Sequence, residues 1–435
     1  MQQNVKVKYL KKTSVIILIM LLIVYPSGCS VQKETDSSLK HNLTKTQVQE
    51  DRKQVIEYLE NVHPFFLLEK DQEKYKVAKE KYMKATKRAM PITEFQKITS
   101  IYLSSLNDGH TTLNWETGEE FPFLQIESSY EDGKTYLCEN GKKTDICIEK
   151  IGGISVQDIY QNIDLIRPKE NQSAIAKNRE RFLVIKSVLA NCGVEMKDNN
   201  VQILFSDGKE KQYSFGKKRL ETMSYGMGEN NCYKEGDIFV VDLNLCVVDT
   251  KLDFILSELE RALNTGCHKV MIDVRGNPGG DSNACSLLLN ELGMSVPDMT
   301  MICRYSSFAT EQRGYVEKEG LVTYKESTEA EEPGNPIELV VLSDKYTFSS
   351  ATLLCTWIRD GNLGKIIGEP SSNQPSAYGD ILVFTLKNSK LEIGISHKKF
   401  IRPDQYKKEN VLIPNIETSA EAAYQQGVEY LKLRE

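Results

Sequence analysis

Histidine is scarce in this chain of 435 residues, with His41, His63, His110, His268 and His397 the whole supply. Paired cysteines are missing too. Ten cysteines are present without one CxxC spacing, which excludes a zinc ribbon or a thioredoxin-like redox motif. Nine follow Cys29, and an odd number at irregular intervals is no disulfide framework. Several stand in apolar runs, as Cys246 does in VVDLNLCVV, where a free cysteine acts as a small hydrophobe. A basic excess is also lacking, since the formal net charge is −6. Nucleic acid needs a cationic footprint and is excluded as a partner. No internal repeat is present. The one long apolar run, Val15 to Val24, is too short to span a bilayer comfortably.

That run has a different meaning. Lys6, Lys8, Lys11 and Lys12 precede it and small residues follow, the order of a secretory signal over residues 1–28. Ser27-Gly28-Cys29 resembles the lipoprotein cleavage box, in which Cys29 is acylated and anchors the mature chain to the membrane. Pro26 stands where that box usually has Leu. An uncleaved N-terminal anchor is the alternative, and both predict export. Removal of 1–28 takes away four Lys and no acid, so the charge moves from −6 to −10.

Residues 29–46 are polar and suit a tether. From 47 to 115 the pattern is helical, with Val55, Ile56, Leu59 and Val62 on one stripe. Residues 116–230 change to short β-type runs, interrupted by one helical piece near 174–190. Within them ICIEKIGGISVQDIYQNI resembles the strand, Gly-rich turn and helix of PDZ domains. From 231 to 435 apolar strands (DIFVVDL, KVMIDVRG, IELVVLS, GKIIGE) alternate with amphipathic helices, which implies a sheet covered on both faces. The fold class expected is α/β, with a helical N-terminal domain and a small β-rich domain.

Three stretches concentrate chemistry. In VVLSDKYTFSSATLL a buried strand passes through a polar turn into a helix opened by Ser349-Ser350. Either serine suits a helix cap, and Ser349 also suits a nucleophile at a helix N-terminus that favours anionic charge. KVMIDVRGNPGG runs from a strand into Gly279-Gly280, where side-chain-free backbone presents N–H groups for an oxyanion hole or simply turns the chain. SLNDGHTTL carries Asp108-Gly109-His110.

DGHTTL, VMIDVRGNPGG and LSDKYTFSSATLL followed by KIIGEPSS, in this order, resemble the tail-specific (carboxyl-terminal processing) protease family over about residues 50–420. The resemblance implies a crotonase/Clp-like α/β core joined to a helical N-terminal domain and a PDZ-like domain. It also implies a serine peptidase acting on polypeptide without metal or organic cofactor. Ser349 falls on the family's nucleophile, and the backbone N–H groups of Ser350 with Gly279 or Gly280 on its oxyanion hole. Thr352 replaces the family's Glu. Gln374 occupies the position of the lysine base, and a glutamine takes no proton at neutral pH. The tricorn-like branch uses a histidine from the DGH-type motif, which assigns the base to His110. In that branch a serine beside the histidine and a distant glutamate complete the set. Gly109 has no hydroxyl here, and the glutamate region falls near Glu409, with Asp108 as its rival. A catalytically degenerate peptide- or ligand-binding lipoprotein on the same fold is the competing expectation. Oligomeric state is not legible.

Overall fold

A computed structural model describes residues 6–9, 42–116, 120–221, 225–316, 319–326 and 336–434. Cys29 and all of the leader except residues 6–9 lie outside these. Among the described residues no helix is long and apolar enough to cross a membrane.

The first helices are α1 (Lys45–Val62), α2 (Glu73–Ala85) and α3 (Ile92–Ser104). A capping box of Thr44 and Gln47 starts α1 by satisfying N–H groups that lack helical partners. Its buried face is Val48, Asp51, Val55, Leu59 and Val62, with Ile56 at the margin. Asp51 is the anomaly on that stripe. Its carboxylate accepts the N–H groups of Asn388 and Ser389, at 2.9 and 2.7 Å, and so pins α1 to a distant turn.

The β-rich part contains β1 (Phe123–Leu124), β2 (Ser128–Glu131), β3 (Lys134–Glu139) and β4 (Lys142–Ile151), then α4 (Val156–Ile166) and α5 (Gln172–Leu183). The strands β5 (Asn200–Phe205) and β6 (Glu210–Gly216) complete an antiparallel sheet in the order β1-β6-β5-β4-β3-β2. Asn171 caps α5 through its side chain.

The remaining chain builds two sheets. The first has the order β7 (Asn231–Glu235), β8 (Ile238–Asp242), β9 (Lys269–Asp273), β12 (Glu338–Ser343), β13 (Lys365–Gly368) and β16 (Ile416–Glu417), parallel from β8 onward. Three helices, α6 (Thr250–Asn264), α7 (Ser282–Glu291) and α8 (Ser350–Asp360), bury one face with Ile255, Leu288 and Leu354. On the other face α9 (Ala420–Lys432) covers Val240, Met271 and Val340 with Ala423, Val428 and Leu431. The covered parallel sheet expected from the apolar strands is therefore present. Cys246, Cys285 and Cys355 sit in this core as buried free thiols.

The second sheet departs from the expected alternation of strand and helix. Its order is Lys6–Tyr9, β11 (Gly320–Glu326), β10 (Met299–Tyr305), β15 (Glu392–Ile401) and β14 (Ala377–Thr385), antiparallel except that Lys6–Tyr9 runs parallel to β11. Charge hid β14 and β15. Asp380 and Lys398 are both buried and pair at 2.6 Å, so ions occupy strand positions that a hydrophobic pattern would not assign. Thr112–Leu113 pairs with Ile393–Gly394 at the edge of this sheet, and thereby brings the DGH loop alongside the parallel core.

Asp51→Ala leaves the N–H groups of Asn388 and Ser389 buried without their acceptor. The expected cost is about 3 kcal/mol, read as a lower midpoint in urea unfolding.

Candidate active site

Chain reversal after β9 and after β12 places two turns against each other. The first is Arg275 to Gly280, with Gly279 at φ +100° and Gly280 at φ +134°, values that glycine reaches without steric cost. Here the freedom is required. A Cβ on Gly279 would lie 2.5 Å from Ser349 Cβ, and one on Gly280 would lie 2.0 Å from the Cys246 carbonyl oxygen. The second turn is Asp344 to Ser349. Asp344 Oδ1 accepts N–H groups from Tyr346 (2.9 Å), Thr347 (2.8 Å) and, across the gap, Gly276 (3.0 Å). Thr347 Oγ1 donates to the Val274 carbonyl at 2.9 Å, and Phe348 N–H to that of Asn277 at 3.0 Å. The two turns thus behave as one piece.

Ser349 stands at their meeting point with φ +53° and ψ −124°, outside the ordinary regions for a residue with a Cβ. Its side chain makes no helix-capping hydrogen bond. Neither does that of Ser350, which donates to the Gly280 carbonyl at 2.6 Å and ties α8 to the glycine turn. The capping alternative is therefore not realised. Strain of this kind costs on the order of 1–3 kcal/mol and is held in place only by its surroundings. Its effect is to lift Ser349 Oγ towards His110, whose Nε2 lies 3.0 Å away.

His110 arrives from the other side of the site. Its ring packs against that of Phe348, 4.5 Å between centroids, and its side chain is 12% exposed. Asp108 anchors the loop. Its carboxylate is buried and accepts the His110 N–H (3.0 Å), the hydroxyls of Thr111 and Ser396 (2.6 Å each) and His63 Nε2 (3.1 Å). His63 Nδ1 accepts the Phe65 N–H, so the proton of this ring is on Nε2, facing Asp108. Burial opposes ionisation of Asp108, but hydrogen bonds from His110 and His63 outweigh it and hold the carboxyl well below the usual carboxylate range.

For Nε2 to accept the Ser349 proton, the ring proton must reside on Nδ1. That atom is buried without a hydrogen-bond partner among the described residues, and Asp108 Oδ1 stands 3.8 Å from it. Glu409 does not take this place. It is 59% exposed and contacts Arg402 at 3.4 Å, on the outside of the Arg402–Asp360 ion pair. The family resemblance points to it as the partner of the histidine, whereas the cation beside it claims its charge.

The oxyanion candidates separate. Gly279 N–H is already donated to Asn277 Oδ1 at 2.7 Å, which leaves the turn glycine a packing role. The N–H groups of Gly280 and Ser350 have no acceptor among the described residues. Thr352 Oγ1 donates to the Thr347 carbonyl at 3.3 Å within the serine turn.

Four neighbours were not singled out from the sequence: His63, Glu170, Lys177 and Asn373. Glu170, buried, accepts the Gly109 N–H and the Asn373 amide, each at 2.9 Å. Burial and the nearby Asp108 charge push its carboxyl up. Lys177 is partly exposed, but its amine is enclosed between Ser372 Oγ (2.6 Å) and the Phe348 ring (4.0 Å). Burial pushes it down to about 7. A lysine does enter the loop that carries Gln374, from another element, and it bonds Ser372 rather than Ser349. Of these only Asn373 lies in a motif stretch, directly before Gln374, and the roles of all four depend on contacts across the chain.

Two consequences are measurable. Gly279→Ala forces Ser349 to shift, and labelling of the serine by a fluorophosphonate is expected to fall about 100-fold with the circular dichroism spectrum unchanged. Lys177 has its folded pKa below its unfolded one, so between about pH 7 and about pH 10.4 the unfolded chain binds more protons and stability rises with pH. Below that window the burial penalty is complete. The wild type should therefore gain on Lys177→Met in urea midpoint as pH rises from about 7 to about 9.5.

Residues 240–418 match peptidase family S41. No curated protein matches the chain. Among solved structures it is similar to CPAF complexed with lactacystin, at 13% identity and a TM-score of 0.58 over 89% of this chain and 98% of that one. It is also similar to a CPAF mutant, at 12% identity and a TM-score of 0.62 over 89% of this chain and 96% of that one. At such identities the likeness is one of fold, and it extends well beyond the matched segment. The chain thus carries a peptidase S41 domain over residues 240–418 and is a serine-type peptidase.

Proposed function

We propose that this peptidase is exported, tethered by a lipid on Cys29 to the outer face of the cell membrane, and that it cuts extended polypeptides of the envelope or the extracellular space. The observation that carries the chemistry is the 3.0 Å approach of His110 Nε2 to Ser349 Oγ, at a strained turn beside two unclaimed N–H groups. Ser349 Oγ attacks the scissile carbonyl while His110 Nε2 takes its proton. The oxygen that becomes anionic accepts from the Ser350 and Gly280 N–H groups, worth about 3 kcal/mol each in the transition state. The imidazolium so formed lies near ionised Asp108, which favours it. His110 then returns its proton to the leaving amine, and water, activated by the same ring, hydrolyses the acyl-enzyme.

Export rests on the basic and apolar order of residues 1–28, and the tether on Ser27-Gly28-Cys29. Polypeptide as substrate follows from the family. The strand, paired-glycine turn and helix over β4 to α4 support a peptide-docking role for the β-rich part.

A fluorophosphonate probe should label Ser349, and His110→Ala should slow both labelling and hydrolysis of an unfolded polypeptide by about 10²–10⁴-fold. An unlabelled, folded wild type would sink the hydrolase reading in favour of a binding protein. Metabolic labelling with a fatty-acid analogue, lost in Cys29→Ser, tests the anchor separately.

A further inference from the structure

The serine and the histidine come from turns with no backbone link between them, yet they are held at hydrogen-bond distance. A third segment touches both sides. Residues 169–171, between α4 and α5, contact the histidine loop and the 371–373 loop by turns. Lys169 N–H donates to Asn107 Oδ1 at 2.7 Å. Glu170 Oε1 accepts the Gly109 N–H, and Glu170 Oε2 accepts Asn373 Nδ2, both at 2.9 Å. Asn171 Nδ2 donates to the Ser371 carbonyl at 3.1 Å. The 371–373 loop in turn reaches the serine turn, because Ser372 N–H donates to the Thr347 carbonyl at 3.2 Å. A closed circuit results, from His110 through Gly109, Glu170, Asn373 and Thr347 to Ser349.

Resting on the hydrolase reading above, we infer that Glu170 is a positioning residue, whose two carboxylate oxygens set the separation of His110 from Ser349. Its burial serves this. A carboxylate in water would exchange partners freely, whereas here each oxygen has one donor, and neither donor belongs to Glu170's own segment. The contact leaves little room for a larger residue at position 109, where a Cβ would lie 3.0 Å from Glu170 Oε2 and 3.1 Å from the Phe348 ring. Gly109, which lacks the hydroxyl of the related branch, is thus the residue that allows the carboxylate in. The β-rich part of the chain contributes to the site by this route without touching the reacting atoms.

The test is steady-state kinetics on a peptide substrate, joined to hydrogen exchange by mass spectrometry. Glu170→Ala should lower kcat by about 10- to 100-fold, the cost of a misplaced base, with KM within about twofold. Glu170→Gln keeps an acceptor for Gly109 but turns a donor towards Asn373 or the reverse, and should fall between wild type and Glu170→Ala. Asn373→Ala combined with Glu170→Ala should be no worse than Glu170→Ala alone, because both break one circuit. Amides of 107–111 and 371–373 should exchange faster together in Glu170→Ala. A kcat within twofold of wild type, a loss carried by KM, or faster exchange confined to 166–176 overturns the inference. Should wild type fail to hydrolyse at all, the hydrolase reading falls, and the exchange arm decides the role of Glu170 alone.

Discussion

One oxygen atom, Asp344 Oδ1, joins the two turns on which the site is built. It accepts two N–H groups of the serine turn and one of the glycine turn, and everything downstream inherits that frame. Burying the carboxylate is unfavourable, and its pKa is pushed up to about 6 in consequence. The return is geometric. With the turns locked together, Ser349 is held in a backbone conformation it would otherwise leave, and the Gly280 and Ser350 amides keep a fixed relation to its hydroxyl.

Against this rigid half the histidine is delivered by separate means. Thr112–Leu113 adds to β15, Asp108 draws four donors from three parts of the chain, and Phe348 provides a wall for the imidazole ring. The division is sensible physically. In the proposed mechanism the oxyanion donors must be immobile to be worth their full energy, whereas the base must move a proton back and forth, and needs only a correct tautomer and a short reach.

Much of this was legible in the chain. Apolar strands such as KVMID and ELVVLS announced the covered parallel sheet, and DGH, NPGG and TFSS carried His110 and the two turns. Charge and distance concealed the rest. The β14–β15 hairpin hides behind Asp380, His397 and Lys398, which read as surface until their mutual pairing is seen. Glu409 comes from matching the chain to the glutamate region of a related branch, and such matching is blind to Arg402 beside it. Gly279 and Gly280 are indistinguishable as letters. Only the side chain of Asn277, which claims one amide, tells them apart. Glu170 and Lys177 lie in PKENQSAIAK, where composition suggests no more than a solvated helix start.

The pairing of Thr112–Leu113 with Ile393–Gly394 also governs when the enzyme can exist as such. The ribosome makes the histidine early and its docking strand nearly three hundred residues later, with the serine in between. Until β15 has been synthesised and folded, the loop bearing His110 has no edge to join. The meeting of His110 with Ser349 is thus among the last contacts the nascent chain can make, and a partly synthesised chain holds the serine without its histidine.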